Sequence, residues 1–232
     1  MDFFSLSQVE IEALYLSLKV GFWSVILSLP FGILFGWILS RKKFYGKVIL
    51  DGFLHLPLVI PPVVTGYLLL IIFGNNGIIG KWLNETFDFT FAFNWKGAAL
   101  ASAIMSFPLM VRAIRLSIDS VDKGLEDVAK TLGKSNIYIF FTITLPLSIQ
   151  GIIAGVVLAF ARSLGEFGAT ITFVSNIPGE TQTLPIALYS VLQVPQGEFI
   201  AAKLCVISII IAFIALILSE YFSRKSIQKK EL

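Results

Sequence analysis

The chain has 232 residues, 56% of them hydrophobic and only 14% charged, with a mean hydropathy of +0.84 and a formal net charge of +3. Soluble domains carry about 25% charged residues, so the composition sets aside a soluble fold and points to an all-α, polytopic helical membrane protein. The single cysteine, Cys205, rules out an intrachain disulfide or a Cys-based metal site.

The N-terminus opens on Asp2 with no basic n-region or A-x-A site, so no removable signal peptide is expected. Residues 1–17 mix apolar Val9, Leu14 and Leu16 with Glu10 and Glu12. They read either as an amphipathic helix along the membrane face or as a helical extension of the first span. Span 1 is expected over 18–39, with Pro30 inside it and a Gly32-x-x-x-Gly36 pattern of the kind that lets helices approach closely. Span 2, over 50–73, contains HLPLVIPPVVTGY. Pro57, Pro61 and Pro62 each lack an N–H, which predicts a kinked helix, with Thr65 spaced to help near Pro61. That kink reads either as packing or as a gate on a transport path. The lone histidine, His55, suits helix packing better than metal binding.

Residues 74–95 are polar and aromatic and form an outer loop, with Trp82 and Trp95 suited to the interfacial belt. Their GIIGK run lacks a Ser or Thr after Lys81 and is no phosphate loop. Span 3 is expected over 97–116 and span 4 over 147–167, the latter with Gly151-x-x-x-Gly155. Arg162 and Glu166 form an i, i+4 pair inside span 4, beside Ser163 and Phe167. Ionisable groups within a membrane are functional hypotheses by default, here a path or gate, set against a neutralised pair that fixes packing. Residues 184–194 are too short to cross and read as a re-entrant or interfacial helix. Span 5 covers 201–221.

Most of the 18 Lys and Arg residues fall after spans 1, 3 and 5: Arg41, Lys42, Lys43, Lys47; Arg112, Arg115, Lys123, Lys130, Lys134; Arg224, Lys225, Lys229, Lys230. The positive-inside rule then predicts five spans, the N-terminus outside and the C-terminus cytoplasmic. Topology accounts for the basic residues, so no nucleic-acid partner is called for.

Residues 121–146, VDKGLEDVAKTLGKSNIYIFFTITLP, are crowded with charge between apolar segments. A charge costs roughly 2.5–3.5 kcal/mol at the bilayer centre, so the first half is expected as a soluble helix held at the membrane surface. Glu126-Asp127-Val128-Ala129, then Gly133, then Ile143-Thr144-Leu145-Pro146 resembles the cytoplasmic EAA loop of ABC-importer permeases, with Asp127 in place of Glu and Val128 in place of the first Ala. Further matches run from about 53 to 185: LHLPLVIPPVVTGYLLL, FPLMVRAIRLSID, FFTITLPLSIQGIIAG and LAFARSLGEFGATITFVSNIPGETQTLP. Together they resemble the permease subunits of molybdate ABC importers, with sulfate and thiosulfate permeases as close relatives.

The resemblance implies a type I ABC importer permease fold, with residues 1–232 as one transmembrane domain of five main helices plus a cytoplasmic coupling helix in a loop over 121–146. It implies that Leu125, Glu126, Asp127, Ala129, Leu132, Gly133 and Pro146 serve coupling to an ATPase, and that Pro61, Pro62, Thr65, Arg162, Ser163, Glu166 and Phe167 belong to the path or gate. The implied assembly is a homodimer with two ABC ATPase subunits and a periplasmic molybdate-binding protein, embedded in lipid in a bacterial inner membrane. No cofactor, metal or catalytic residue is expected in this chain, since ATP and Mg would be bound by the partner ATPase. Alternatives are tungstate as a further cargo, a sulfate or thiosulfate permease, an ATP-independent channel or carrier, and an intramembrane enzyme. The last lacks any Ser/His, Cys/His or HExxH set.

Overall fold

The computed structural model describes residues 7–228 and the side chains of 7–217. Asp2 and the tail cations Lys229 and Lys230 lie outside the described residues, and Arg224 and Lys225 outside the described side chains. Among the described residues every regular element is helical.

The first helix, α1, runs unbroken over Gln8–Arg41. Ser7 and Glu10 form a capping box at its start, with Ser7 N–H donating to Glu10 Oε2 at 2.6 Å. From Gln8 onward the lead-in residues are therefore continuous with the first span. Glu10 also meets Lys203 at 2.8 Å, an ion pair with both side chains nearly buried, which ties the start of α1 to the last helix.

Helices α2 (Lys47–Val59) and α3 (Pro62–Phe73) replace the single kinked span expected over 50–73. They meet at 111°. Pro57 is absorbed inside α2, but Ile60 and Pro61 each precede a proline and are held extended, at ψ 147° and 135°. A residue before proline is pushed out of the α region, and two in succession end the helix outright. Neither half, at about 18–20 Å, covers a hydrocarbon core of about 30 Å alone.

The segment after α3 contains α4 (Ile78–Phe87), followed by α5 (Trp95–Asp119), whose N-cap Asn94 accepts from the N–H groups of Lys96 and Gly97. The charged segment then forms α6 (Lys123–Thr131), α7 (Asn136–Ile139), a π turn over Phe140–Thr144 and α8 (Leu145–Leu147). Next come α9 (Ile149–Leu164), α10 (Gly168–Val174), α11 (Leu184–Leu192) and α12 (Glu198–Gln228). The segments Asn136–Leu147 and Ile149–Leu164 are bent by 69°, so span 4 too begins at a break.

Among the described residues three helices, α1, α5 and α12, are individually long and apolar enough to cross a membrane; five crossings count each bent pair as one. The centre of the bundle is α5: 61% of its most apolar window is buried, against 33% for α1 and 22% for α12. It packs between α1 and α9. Small residues make this possible. A Cβ on Gly36 would lie 2.9 Å from Ile114 Cγ2, and one on Gly151 would lie 2.0 Å from Ser117 Cβ. Met110, Ile114 and Ile118 fill the seam, all fully enclosed.

Candidate coupling surface and gate

Helix α6 is a short, nine-residue helix with both ends capped. Asp122 Oδ1 accepts from Gly124 N–H at 2.8 Å. At the other end Gly133 takes φ +77°, its N–H donates to the Lys130 carbonyl, and Lys134 N–H donates to the Ala129 carbonyl. That pair of bonds is a Schellman motif, and glycine is the residue that reaches left-handed backbone without strain.

The two faces of α6 differ sharply. Glu126 and Ala129 turn inward, 7% and 8% exposed. Leu125, Val128 and Leu132, spaced three and four apart, turn outward at 49%, 60% and 73%. Asp127 is also exposed, and the hydrogen bond from Lys130, 2.8 Å from its Oδ1, holds its carboxyl below the usual range. Exposed Ile137, Tyr138 and Phe141 continue the apolar surface beyond Gly133.

Glu126 is held by residues that the local pattern does not disclose. Arg41 Nε donates to its Oε1 at 2.9 Å, and Thr144 Oγ1 donates to the same oxygen at 2.7 Å. Arg41 Nη2 donates to the Val121 carbonyl at 2.9 Å. One arginine at the end of α1 thus fixes both the α5–α6 corner and the carboxylate of α6. Pro146, without an N–H, follows the π turn. Such a turn relocates the backbone hydrogen bonds by one residue, and the bend before α9 follows two residues later.

A second network ties α1, α2 and α5 together at the same end. Arg115 Nη1 meets Asp51 Oδ2 at 2.9 Å, Ser40 Oγ donates to Asp119 Oδ1 at 2.5 Å, and His55 lies 3.3 Å from Asp51 Oδ1. His55 Nδ1 also lies 2.8 Å from the Asp51 carbonyl, one turn earlier on α2.

The residues assigned to a path or gate are partly brought together. The α2–α3 break and the break between α9 and α10 lie against each other: a Cβ on Gly168 would sit 2.8 Å from Pro62 Cβ, and one on Gly66 only 2.5 Å from the Ala169 carbonyl. Irregular backbone at membrane depth is tolerated only inside protein or against water, so pairing two breaks is physically economical. Glu166, 2% exposed, sits at the second break. Its Oε2 meets Arg162 Nη1 at 2.8 Å, and its Oε1 accepts from Ala169 N–H at 2.9 Å, capping α10. Phe167 packs on Tyr189 with ring centres 5.0 Å apart. Ser163 lies elsewhere, against Gly21 of α1, its hydroxyl donating to the Phe160 carbonyl. The help expected from the Thr65 hydroxyl near Pro61 is not given. The Pro61 carbonyl accepts from backbone N–H groups of Val64 and Thr65, and Thr65 Oγ1 is buried without a partner.

Similarity to known proteins agrees with this arrangement. The chain is 61% identical over 221 residues to the molybdenum transport system permease protein ModB of Escherichia coli (strain K12), covering 95% of this chain and 96% of the relative. It is 34% identical over 218 residues to the sulfate transport system permease protein CysT of the same strain, covering 93% and 78%. In fold it is similar to a bacterial ABC transporter involved in the import of the acidic polysaccharide alginate, with a TM-score of 0.74 at 17% identity, over 95% of this chain and 80% of that one. The profile described as "Binding-protein-dependent transport system inner membrane component" matches residues 28–228, and the chain belongs to that family.

Proposed function

We propose that this chain is the membrane permease subunit of a molybdate ABC importer. The observation that carries the reading is the 61% identity to a molybdenum permease over nearly the full length of both chains, against 34% to a sulfate permease. Residues 1–232 act as one permease domain. Two copies form the translocation path, and an extracytoplasmic binding protein delivers the oxyanion. The N-terminus lies outside and the C-terminus in the cytoplasm, which puts α6 on the cytoplasmic side.

Coupling runs through α6. The exposed row Leu125, Val128 and Leu132 is the face offered to an ATPase cleft, and Gly133 shapes its end. Glu126 and Ala129 serve the other side of the joint, fastening α6 to α1 and to the π turn. ATP and Mg bind the partner ATPase, whose closure draws two such helices together. ATP then shifts a bistable bundle by its differential affinity for the two states. The apposed breaks at Pro61–Pro62 and Gly165–Phe167 are the gate, with Arg162 and Glu166 setting its geometry.

The test is reconstitution into liposomes with the cognate ATPase and binding protein, measuring molybdate and sulfate uptake with and without ATP. ATP-dependent molybdate uptake is expected. Uptake by this chain alone without ATP would overturn the importer reading, and a preference for sulfate would overturn the cargo.

A further inference from the structure

Between the end of α1 and α6 lies a cavity of about 190 Å³. Its walls carry four cations, Arg41, Lys42, Lys123 and Lys130, and two carboxylates, Glu126 and Asp127. Both carboxylates are already engaged, Glu126 by Arg41 and Asp127 by Lys130. Lys42 and Lys123 have no ion pair among the described residues, which leaves the cavity with an excess of positive charge.

Arg41 itself is only 7% exposed, with its Nε engaged by Glu126 and its Nη2 by the Val121 carbonyl, so the unpaired charge that the cavity offers comes from Lys42 and Lys123. The cavity also has an interfacial wall. Trp37 and Phe140 line it, edge to face with ring centres 5.6 Å apart, and Lys42 Nζ lies 4.9 Å from the Trp37 ring centre. Aromatic rings beside Lys and Arg at a helix end mark the headgroup level of a bilayer. Basic pockets between membrane helices at that level suit anionic headgroups.

We propose that this cavity is a phosphate-oxyanion site, filled by the headgroup phosphate of an anionic phospholipid. The phosphate bridges Lys42 at the end of α1 to Lys123 on α6. The bilayer thereby becomes part of the joint that holds α6 to the bundle. The proposal rests on the membrane placement of the family and is independent of the cargo, so its failure would leave molybdate uptake as proposed.

The test is native mass spectrometry of the full chain, delipidated in detergent and titrated with phosphatidylglycerol or with phosphatidylcholine of the same acyl chains. Selective retention of phosphatidylglycerol is expected. Lys42→Ala and Lys123→Ala should each weaken it about fivefold, the change that one basic residue near an anionic surface gives. Lys43→Ala, which removes a neighbouring cation outside the cavity, should leave retention unchanged. Equal retention of the two lipids, or equal loss in all three variants, overturns the site. Titration with inorganic phosphate separates the sources: tight binding of free phosphate without preference for phosphatidylglycerol overturns the lipid assignment.

Discussion

Arg41 Nε donates to Glu126 Oε1 at 2.9 Å across 85 residues of sequence, and both side chains are less than a tenth exposed. The bond makes the acidic residue of the EAA-like segment an internal fastener. Breaking a buried pair by removing one partner costs roughly 3–5 kcal/mol, because the other charge is left uncompensated. Arg41→Met and Glu126→Leu should therefore each lower thermal stability in detergent strongly, while the double variant should lose less than their sum. Thr144→Val, which removes only the second donor to Glu126, should cost about 1 kcal/mol. Additive losses in the double variant would show that the pair has no coupling energy.

How much of this was legible in sequence depends on the range of the interaction. The exposure of most of 122–134 follows from charge density alone. The inward turn of Glu126 does not, because its partners Arg41 and Thr144 are supplied by other helices. Arg41 was visible as one of a basic run after span 1, but topology accounted for that run and hid its second role. The sharp break at Ile60–Pro61 was within reach, since two successive pre-proline residues forbid helix; counting lost carbonyl partners predicted only a kink. The apposition of that break to Gly165–Phe167 is a tertiary fact with no local signal beyond the small residues Gly66 and Gly168.

The glycines between α5 and its neighbours should differ in tolerance. A Cβ at Gly151 would overlap Ser117 Cβ at 2.0 Å and approach the Ala113 carbonyl at 2.9 Å, so a backbone would have to move. A Cβ at Gly32 would meet Met110 Sδ at 2.7 Å, and a flexible thioether can swing aside. Gly151→Ala should cost about 1–3 kcal/mol, as overpacking does, and Gly32→Ala clearly less. Parallel thermal unfolding of the two variants decides it; equal losses would contradict the geometry.

Gly133 has open space around it, with nothing within 4 Å of a built Cβ, yet φ +77°. A substitution there acts through backbone strain, about 1–2 kcal/mol for an ordinary L residue, and not through a clash. Gly133→Val should fray the end of α6 and reduce co-purification with the ATPase, Gly133→Asn much less, since Asn tolerates left-handed backbone. Membrane insertion should be unaffected in both. Unchanged co-purification of the Val variant would remove Gly133 from the docking end.

Arg162 and Glu166 are bonded at 2.8 Å but unequally placed, at 28% and 2% side-chain exposure. The asymmetry sets the order of the variants. Arg162→Met leaves a carboxylate enclosed at the α9–α10 break without its cation, whereas Glu166→Gln leaves an arginine with partial access to water and an amide oxygen still able to accept from Ala169 N–H. Arg162→Met should therefore be the more destabilising, by roughly 3–5 kcal/mol, and the Arg162→Met/Glu166→Gln double variant should recover part of that loss. If the pair only fixes gate geometry, the double variant should also recover ATP-dependent uptake in liposomes. Restored stability with uptake still absent would mean that the Arg162 guanidinium acts on the oxyanion directly.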